Sequence, residues 1–246
     1  MRRTLAAAAA VSFAAALAAC APTPEQRFDQ AVEATTEEGA ALRSFRKAFP
    51  EDFAVLRQQV IGEAGADTST DAMTQRVSLA VRNFTIRKAA FMAKAPDENL
   101  HEMARGNAEF IRSLQKTDVN LCAKFGLQGL DPGDRLDPAS EKISTRLFGV
   151  QIRAARAGMD RPVERPDITK EDGAKLADQI RRNGADERML NLIANNMAGA
   201  TPAEQCAASV AMYQAVYDLG PADAAKWTGF VIKQSAKRMG PPQPVR

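Results

Sequence analysis

One histidine, three cysteines, a glutamate set between glycines and three evenly spaced aspartates are the residues of this 246-residue chain whose types could do chemistry. A hydrolytic triad would need His101 as its base, and no Gly-x-Ser-x-Gly turn is there to present a nucleophile. With apolar Leu100 and Met103 as neighbours, His101 reads as a surface or half-buried residue at the edge of a helical stripe. One histidine and two widely separated cysteines do not make a zinc set. Asp131, Asp134 and Asp137 surround Gly133 as calcium ligands could. A calcium loop needs alternating ligands and a closing glutamate, and Pro132 and Leu136 interrupt that pattern. Asp137 reads instead as a helix cap. A wall-cleaving muramidase or transglycosylase can run on one protonated glutamate in an apolar pocket, and Glu63 in Ile61-Gly62-Glu63-Ala64-Gly65 is the candidate. The motifs that accompany such a glutamate are missing, so Glu63 reads as a polar residue at a helix end. Gly126 and Gly129 have neither a following lysine nor a preceding strand, so they do not form a phosphate loop. No catalytic residue, metal or cofactor is expected.

The remaining cysteine, Cys20, sits in a different context. Arg2 and Arg3 precede an apolar, alanine-rich run from Leu5 to Ala19. That run is shorter than the roughly 20 residues a membrane-spanning helix needs and has the flanks of a secretory signal. Leu17-Ala18-Ala19-Cys20 resembles the lipobox of bacterial lipoproteins: a leucine, two small residues, then the cysteine that receives lipid. The resemblance covers only the first twenty residues. It implies export, cleavage before Cys20, and anchoring to a membrane through acyl chains such as palmitate on that residue. Several chains together hold stably where one holds marginally. Ala21 in place of aspartate implies, within that family, sorting to the periplasmic face of the outer membrane. Two other readings stay open: an ordinary cleaved signal with a soluble product, and twin-arginine export prompted by Arg2-Arg3.

Loss of residues 1–19 would leave 227 residues, and loss of Arg2 and Arg3 would leave 31 basic residues against 30 acidic ones. A nucleic-acid partner is not expected from so balanced a chain. In an oxidising compartment the two other cysteines, Cys122 and Cys206, most simply form one disulfide. It would close a loop of about 85 residues, worth about 4–5 kcal/mol in the chain-entropy model. The alternative is two separate buried thiols.

The elements that position these residues read as helices throughout, near 24–48, 50–63, 70–94, 97–125, 138–158, 169–183, 186–198, 201–219 and 221–239. The spacing predicts an all-α fold of eight or nine helices, bundle-like or orthogonal. Thr23-Pro24-Glu25-Gln26 and Thr201-Pro202-Ala203-Glu204 are capping signals; Asp97 and Thr169 are further candidate caps, and Gly126 is a candidate stop. In 97–125 the residues Leu100, Met103, Phe110, Ile111, Leu114, Leu121, Cys122 and Phe125 follow one side. The segment 126–137, rich in glycine, proline and aspartate, reads as a loop and a possible subdomain boundary, and 159–167 as a second loop. The stretch from Tyr213 to Trp227 weakly resembles a tetratricopeptide hairpin, with no second copy at a fixed period.

Surface chemistry is left to helix faces. In the last helix Trp227, Phe230 and Val231 lie among Lys226, Lys233, Lys237 and Arg238, which offers an interfacial face or a helix docked on the core. Arg43, Arg46 and Lys47, and Arg153, Arg156, Arg161 and Arg165, read as solvated faces. The expectation is a lipid-anchored, non-catalytic interaction module with an envelope protein as partner. The alternatives are a peptidoglycan-active enzyme and a carrier of small ligands or lipids in a cavity of roughly 300 Å³ or more.

Overall fold

The structure is a computed structural model that describes residues 23–61, 70–131 and 133–239, with backbone alone for residues 70–74, 238 and 239. Among the described residues there are eleven helices and no strand. They are α1 (Pro24–Glu33), α2 (Glu37–Ala48), α3 (Pro50–Ile61), α4 (Thr70–Met92), α5 (Asp97–Thr117), α6 (Val119–Gln128), α7 (Pro138–Asp160), α8 (Lys170–Arg182), α9 (Glu187–Ala194), α10 (Pro202–Asp218) and α11 (Pro221–Met239). None is long and apolar enough to cross a membrane.

The count exceeds the expected eight or nine because two long stretches break at caps. The single helix expected over 24–48 ends at Ala34, and Thr36 starts α2 by accepting the Gly39 N–H. Arg43 donates to the carbonyls of Val32 and Ala34 at 2.7 Å each, satisfying the groups the break exposes. Arg43 is therefore part of the turn and not of a solvated face. Gly39 permits the tight reversal, since a Cβ there would stand 2.2 Å from the Ala34 carbonyl oxygen. The stretch 97–125 breaks at Asp118, whose carboxylate accepts the N–H groups of Asn120 and Leu121. Asp97 is not a cap: Pro96 holds that position, and Asp97 pairs with Arg165. The predicted helix 186–198 stops at Ala194, because Asn196 and Met197 turn the chain with φ of 50° and 58°. Met197 is buried, with the Ser209 hydroxyl against its sulfur at 3.7 Å.

Gly126 does not stop α6, which runs on to Gln128; the turn falls at Gly129, with φ of 85°. The missing side chain at Gly126 serves packing. A Cβ there would stand 2.0 Å from Ser209 Oγ and 2.4 Å from Ser209 Cβ, so α6 and α10 meet through it.

Three apolar clusters form the interior. In the first, Phe45, Phe84 and Phe148 pack edge to face, with Phe28, Phe49 and Phe53 around them; the Phe45 and Phe84 centroids are 4.6 Å apart. The second gathers Phe110, Ile111, Leu114, Cys122, Leu147 and Cys206; the third gathers Ala104, Leu176, Ile180, Ala215 and Val216. Helix α5 contributes to all three and packs against α6, α7, α10 and α11.

The segment 161–169 is extended and straps the end of α4. Val163 donates its N–H to the Lys94 carbonyl at 2.8 Å, and the Lys94 ammonium meets Glu164. Arg165 is only 10% exposed and donates to the Ala95 carbonyl at 2.7 Å and to Asp97 at 2.5 Å. Arg165, too, is a structural group and not a solvated one.

Phe84 is fully buried at the meeting point of four rings, so Phe84→Ala should cost about 3–5 kcal/mol, read from urea unfolding. Gly126→Ala should also destabilise, by about 1–3 kcal/mol from overpacking. A loss of that size would exceed the roughly 1 kcal/mol that alanine gains over glycine in a helix.

Candidate functional site

Cys20 with the rest of the targeting segment, Glu63 and Pro132 lie outside the described residues, as does the Arg238 side chain. The other residues singled out from the sequence can be placed. Cys122 on α6 and Cys206 on α10 are buried, with their sulfurs 2.02 Å and their Cα atoms 5.2 Å apart, at disulfide distance. The pair lies one turn from the Gly126–Ser209 contact on the same two helices, so covalent geometry and close packing reinforce one seam. Cys122 belongs to α6 and not to the helix that carries Leu100 and Met103.

His101 stacks on the Tyr217 ring at 4.9 Å, with Nε2 at 3.0 Å from the Tyr217 carbonyl oxygen. A carbonyl can only accept, so Nε2 carries the hydrogen, and the imidazole satisfies one of the last carbonyls of α10. The aspartates are equally occupied. Asp131 and Asp134 both meet the Lys124 ammonium, at 2.8 and 2.7 Å, and Asp134 also accepts the Asp131 N–H. Asp137 caps α7 by accepting the N–H groups of Ala139 and Ser140.

On α11, Trp227 is partly buried against the third cluster, and the Phe230 ring meets it edge to face at 6.0 Å. Phe230 and Val231 are half-buried. Phe230 also borders a cavity of about 20 Å³ beneath the Arg165 strap, room for about one water. The charge beside them is not free. Lys226 meets Asp172 at 2.5 Å, with side chains 17% and 10% exposed. Asp172 also closes a capping box with Thr169. The Lys226 ammonium, then the Thr169 hydrogen bonds, hold the Asp172 carboxyl far below the usual carboxylate range.

A larger concavity lies elsewhere. Helix α7 packs against both α2 and α5, and between them opens a cleft of about 590 Å³. Leu147, Gly149 and Val150 of α7 are buried and form its floor. Ala40, Ala41 and Ser44 of α2 keep one wall low, while at Gly106 of α5 the place of a side chain is filled by Leu147 of α7, 2.9 Å from where a Cβ would stand. Around this floor stand Glu37, Glu102, Glu109, Arg105, Arg146 and Arg153. Several are matched internally: Arg153 meets Glu102 at 2.7 Å, Arg105 lies 4.0 Å from Glu109, and Lys142 lies 3.5 Å from Glu37. Two groups are left over. Arg146 is exposed and makes no ion pair or hydrogen bond among the described residues. Glu37 Oε2 is shut off from solvent and has no hydrogen-bond partner among them.

Sequence reasoning missed this cleft. Its trace was the spacing of Glu37, Ala40, Ala41 and Ser44, and of Glu102, Arg105, Gly106 and Glu109, each i, i+3, i+4, i+7 on one helix face. The arrangement is a concavity with a low α2 wall and the exposed Arg146 guanidinium beside it. Comparison with protein-family models, curated proteins and solved structures finds no match.

Reduction of the cysteine pair should lower stability by about 4–5 kcal/mol if it closes a loop of 84 residues. Denaturant unfolding with and without reductant measures this. Asp172, Asp131, Glu164 and Glu204 all titrate below their ordinary values when folded. The stability they confer is complete above the ordinary carboxylate range, about pH 4, and is lost as pH falls through it towards the depressed values. Melting temperature should therefore hold from neutrality to about pH 5 and then drop, and the drop should be shallower in Asp172→Asn.

Proposed function

We propose that this chain is a lipid-anchored protein of the bacterial cell envelope whose helical domain works by binding and not by catalysis. The observation that carries the reading is the junction between the targeting segment and the fold. Leu17-Ala18-Ala19-Cys20 has the pattern of a lipidation site, and Thr23, three residues on, already caps α1 in a complete capping box. The Thr23 hydroxyl accepts the Gln26 N–H, and the Gln26 side chain accepts the Thr23 N–H at 2.9 Å.

Three residues span at most about 11 Å when extended. An anchor on Cys20 therefore holds the domain against the leaflet, with α1 nearest the lipid. Such a tether gives the domain little reach and suits a partner or ligand that is itself at the membrane or in the wall next to it. The buried cysteine pair at disulfide distance supports an exported location, where such bonds persist. The partner is an envelope component, with a protein as the first expectation.

Metabolic labelling with a palmitate analogue in a bacterial host tests the anchor. The expected result is a labelled protein in the membrane fraction, with label and membrane retention both lost in Cys20→Ala. An unlabelled wild-type protein recovered as a soluble species would overturn the reading. In-cell cross-linking of the labelled protein then identifies what the domain touches.

A further inference from the structure

We propose that Asn183 is a site of spontaneous covalent modification: the Gly184 backbone nitrogen displaces its side-chain amide, and the carboxylate that results faces Asp218 and loosens α8 from α10. The proposal stands on the contact between these two helices and does not require lipid on Cys20.

Sequence supplies the chemistry. Asn183 is the one asparagine of the chain that a glycine follows. An asparagine side chain can cyclise on the next backbone nitrogen, and glycine there has no side chain to shield that atom or restrict its approach. At Gly184 a Cβ would meet nothing within 4 Å, so no neighbour shields it either. In the reaction the Gly184 nitrogen gives its proton to hydroxide and bonds to Asn183 Cγ. The Cγ–Nδ2 bond breaks, and ammonia leaves with a proton taken from water. Water then opens the cyclic imide at one of its two C–N bonds. Opening at Cγ yields aspartate, and opening at the backbone carbonyl carbon yields isoaspartate. The balance is one water consumed and one ammonia released.

The fold sets both a gate and a consequence. Asn183 has ψ of 7°, which turns the Gly184 nitrogen away from the Asn183 side chain, and the Gly184 N–H donates to the Arg181 carbonyl at 2.9 Å. Asn183 Nδ2 donates to Asp218 Oδ2 at 2.9 Å, and the Gln179 amide donates to Asn183 Oδ1 at 3.0 Å. Cyclisation therefore passes through opening of the last turn of α8. Little opposes that opening. Arg181, Arg182, Asn183 and Gly184 are all exposed, and the Arg181–Glu187 pair across the turn is a surface pair. Ile180, the last apolar anchor of the helix, lies before them. The product cannot close as before. Asp218 loses the Asn183 donor and meets a second carboxylate, at the C-terminal ends of α8 and α10, where the helix dipoles already disfavour negative charge. The repulsion bears on the third cluster, to which α8 gives Leu176 and Ile180 and α10 gives Ala215 and Val216.

Peptide mapping by mass spectrometry tests this on the purified full chain, held for weeks in mild detergent and mildly alkaline buffer. The fragment containing Asn183 should gain the mass of an amide-to-acid exchange, while those containing Asn99, Asn120 and Asn191 stay unchanged. Conversion should be slower than in a free peptide of residues 179–187, and Asp218→Ala, which releases Asn183 Nδ2, should speed it several-fold. The consequence is read from melting temperature. Asn183→Asp should melt lower than Asn183→Ala, which loses the hydrogen bond and adds no charge, and Asp218→Asn should restore Asn183→Asp. An Asn183 fragment of unchanged mass when the free peptide has fully converted would overturn the proposal. So would an Asn183→Asp protein as stable as Asn183→Ala.

Discussion

Helix α5 gives Leu100 and Met103 to one apolar cluster, Ala104 to a second, and Phe110, Ile111 and Leu114 to a third. It is walled by α6, α7, α10 and α11, so those helices are positioned relative to one another mainly through it. Its burial outweighs its local signals. No side chain caps its start, where Pro96 occupies the cap position. A missing cap costs about 1 kcal/mol, whereas each fully buried leucine or isoleucine contributes about 1.5–3. Leu100, Ile111 and Leu114 all have no exposed surface. Burial therefore decides that α5 forms, and Arg165 from a distant strap pairs with Asp97 in its first turn.

The same hierarchy explains what could be read from the sequence. Caps followed by an apolar stripe were legible: Thr23, Asp137, Thr169 and Thr201 all cap helices, three of them in reciprocal boxes. The pairing of Cys122 with Cys206 at disulfide distance was legible as arithmetic, since Cys20 was already assigned. Thr36 and Asp118 were not recognised as caps because the apolar residues on either side continue in helical register across the break. Their own signal was present, in Glu37 and Glu38 after Thr36, and in a lone aspartate ahead of Val119. Gly126 misled because glycine marks a helix end and also a close helix contact, and only the position of Ser209 distinguishes the two.

The cleft was illegible for another reason. Its walls come from α2 and α5, about 60 residues apart, its floor from α7 further on, and its depth from what Gly149 and two alanines do not project. Sequence patterns register what side chains bury; a concavity is the complement of that pattern. Arg43 and Arg165 show the converse. Both looked like solvent-facing charges, yet each donates to carbonyls left open where a helix ends. A guanidinium can do this because it offers several donors in one plane. Basic residues near irregular segments are better read against the carbonyls that must be satisfied there than by counting charge.

Between Cys122 and Cys206 lie 84 residues of sequence separation, and within that span fall both irregular segments, the one from Gly129 to Asp137 and the strap from Arg161 to Thr169. Exposed irregular chain is where proteases cut first. With the two sulfurs joined, a cut in either segment yields two pieces that cannot diffuse apart, because each keeps one end of the bridge. The α6–α10 seam is then more than a source of stability. In an environment rich in proteases it converts a nick from the loss of half the molecule into a change of connectivity, and leaves the helices on both sides in place to close again.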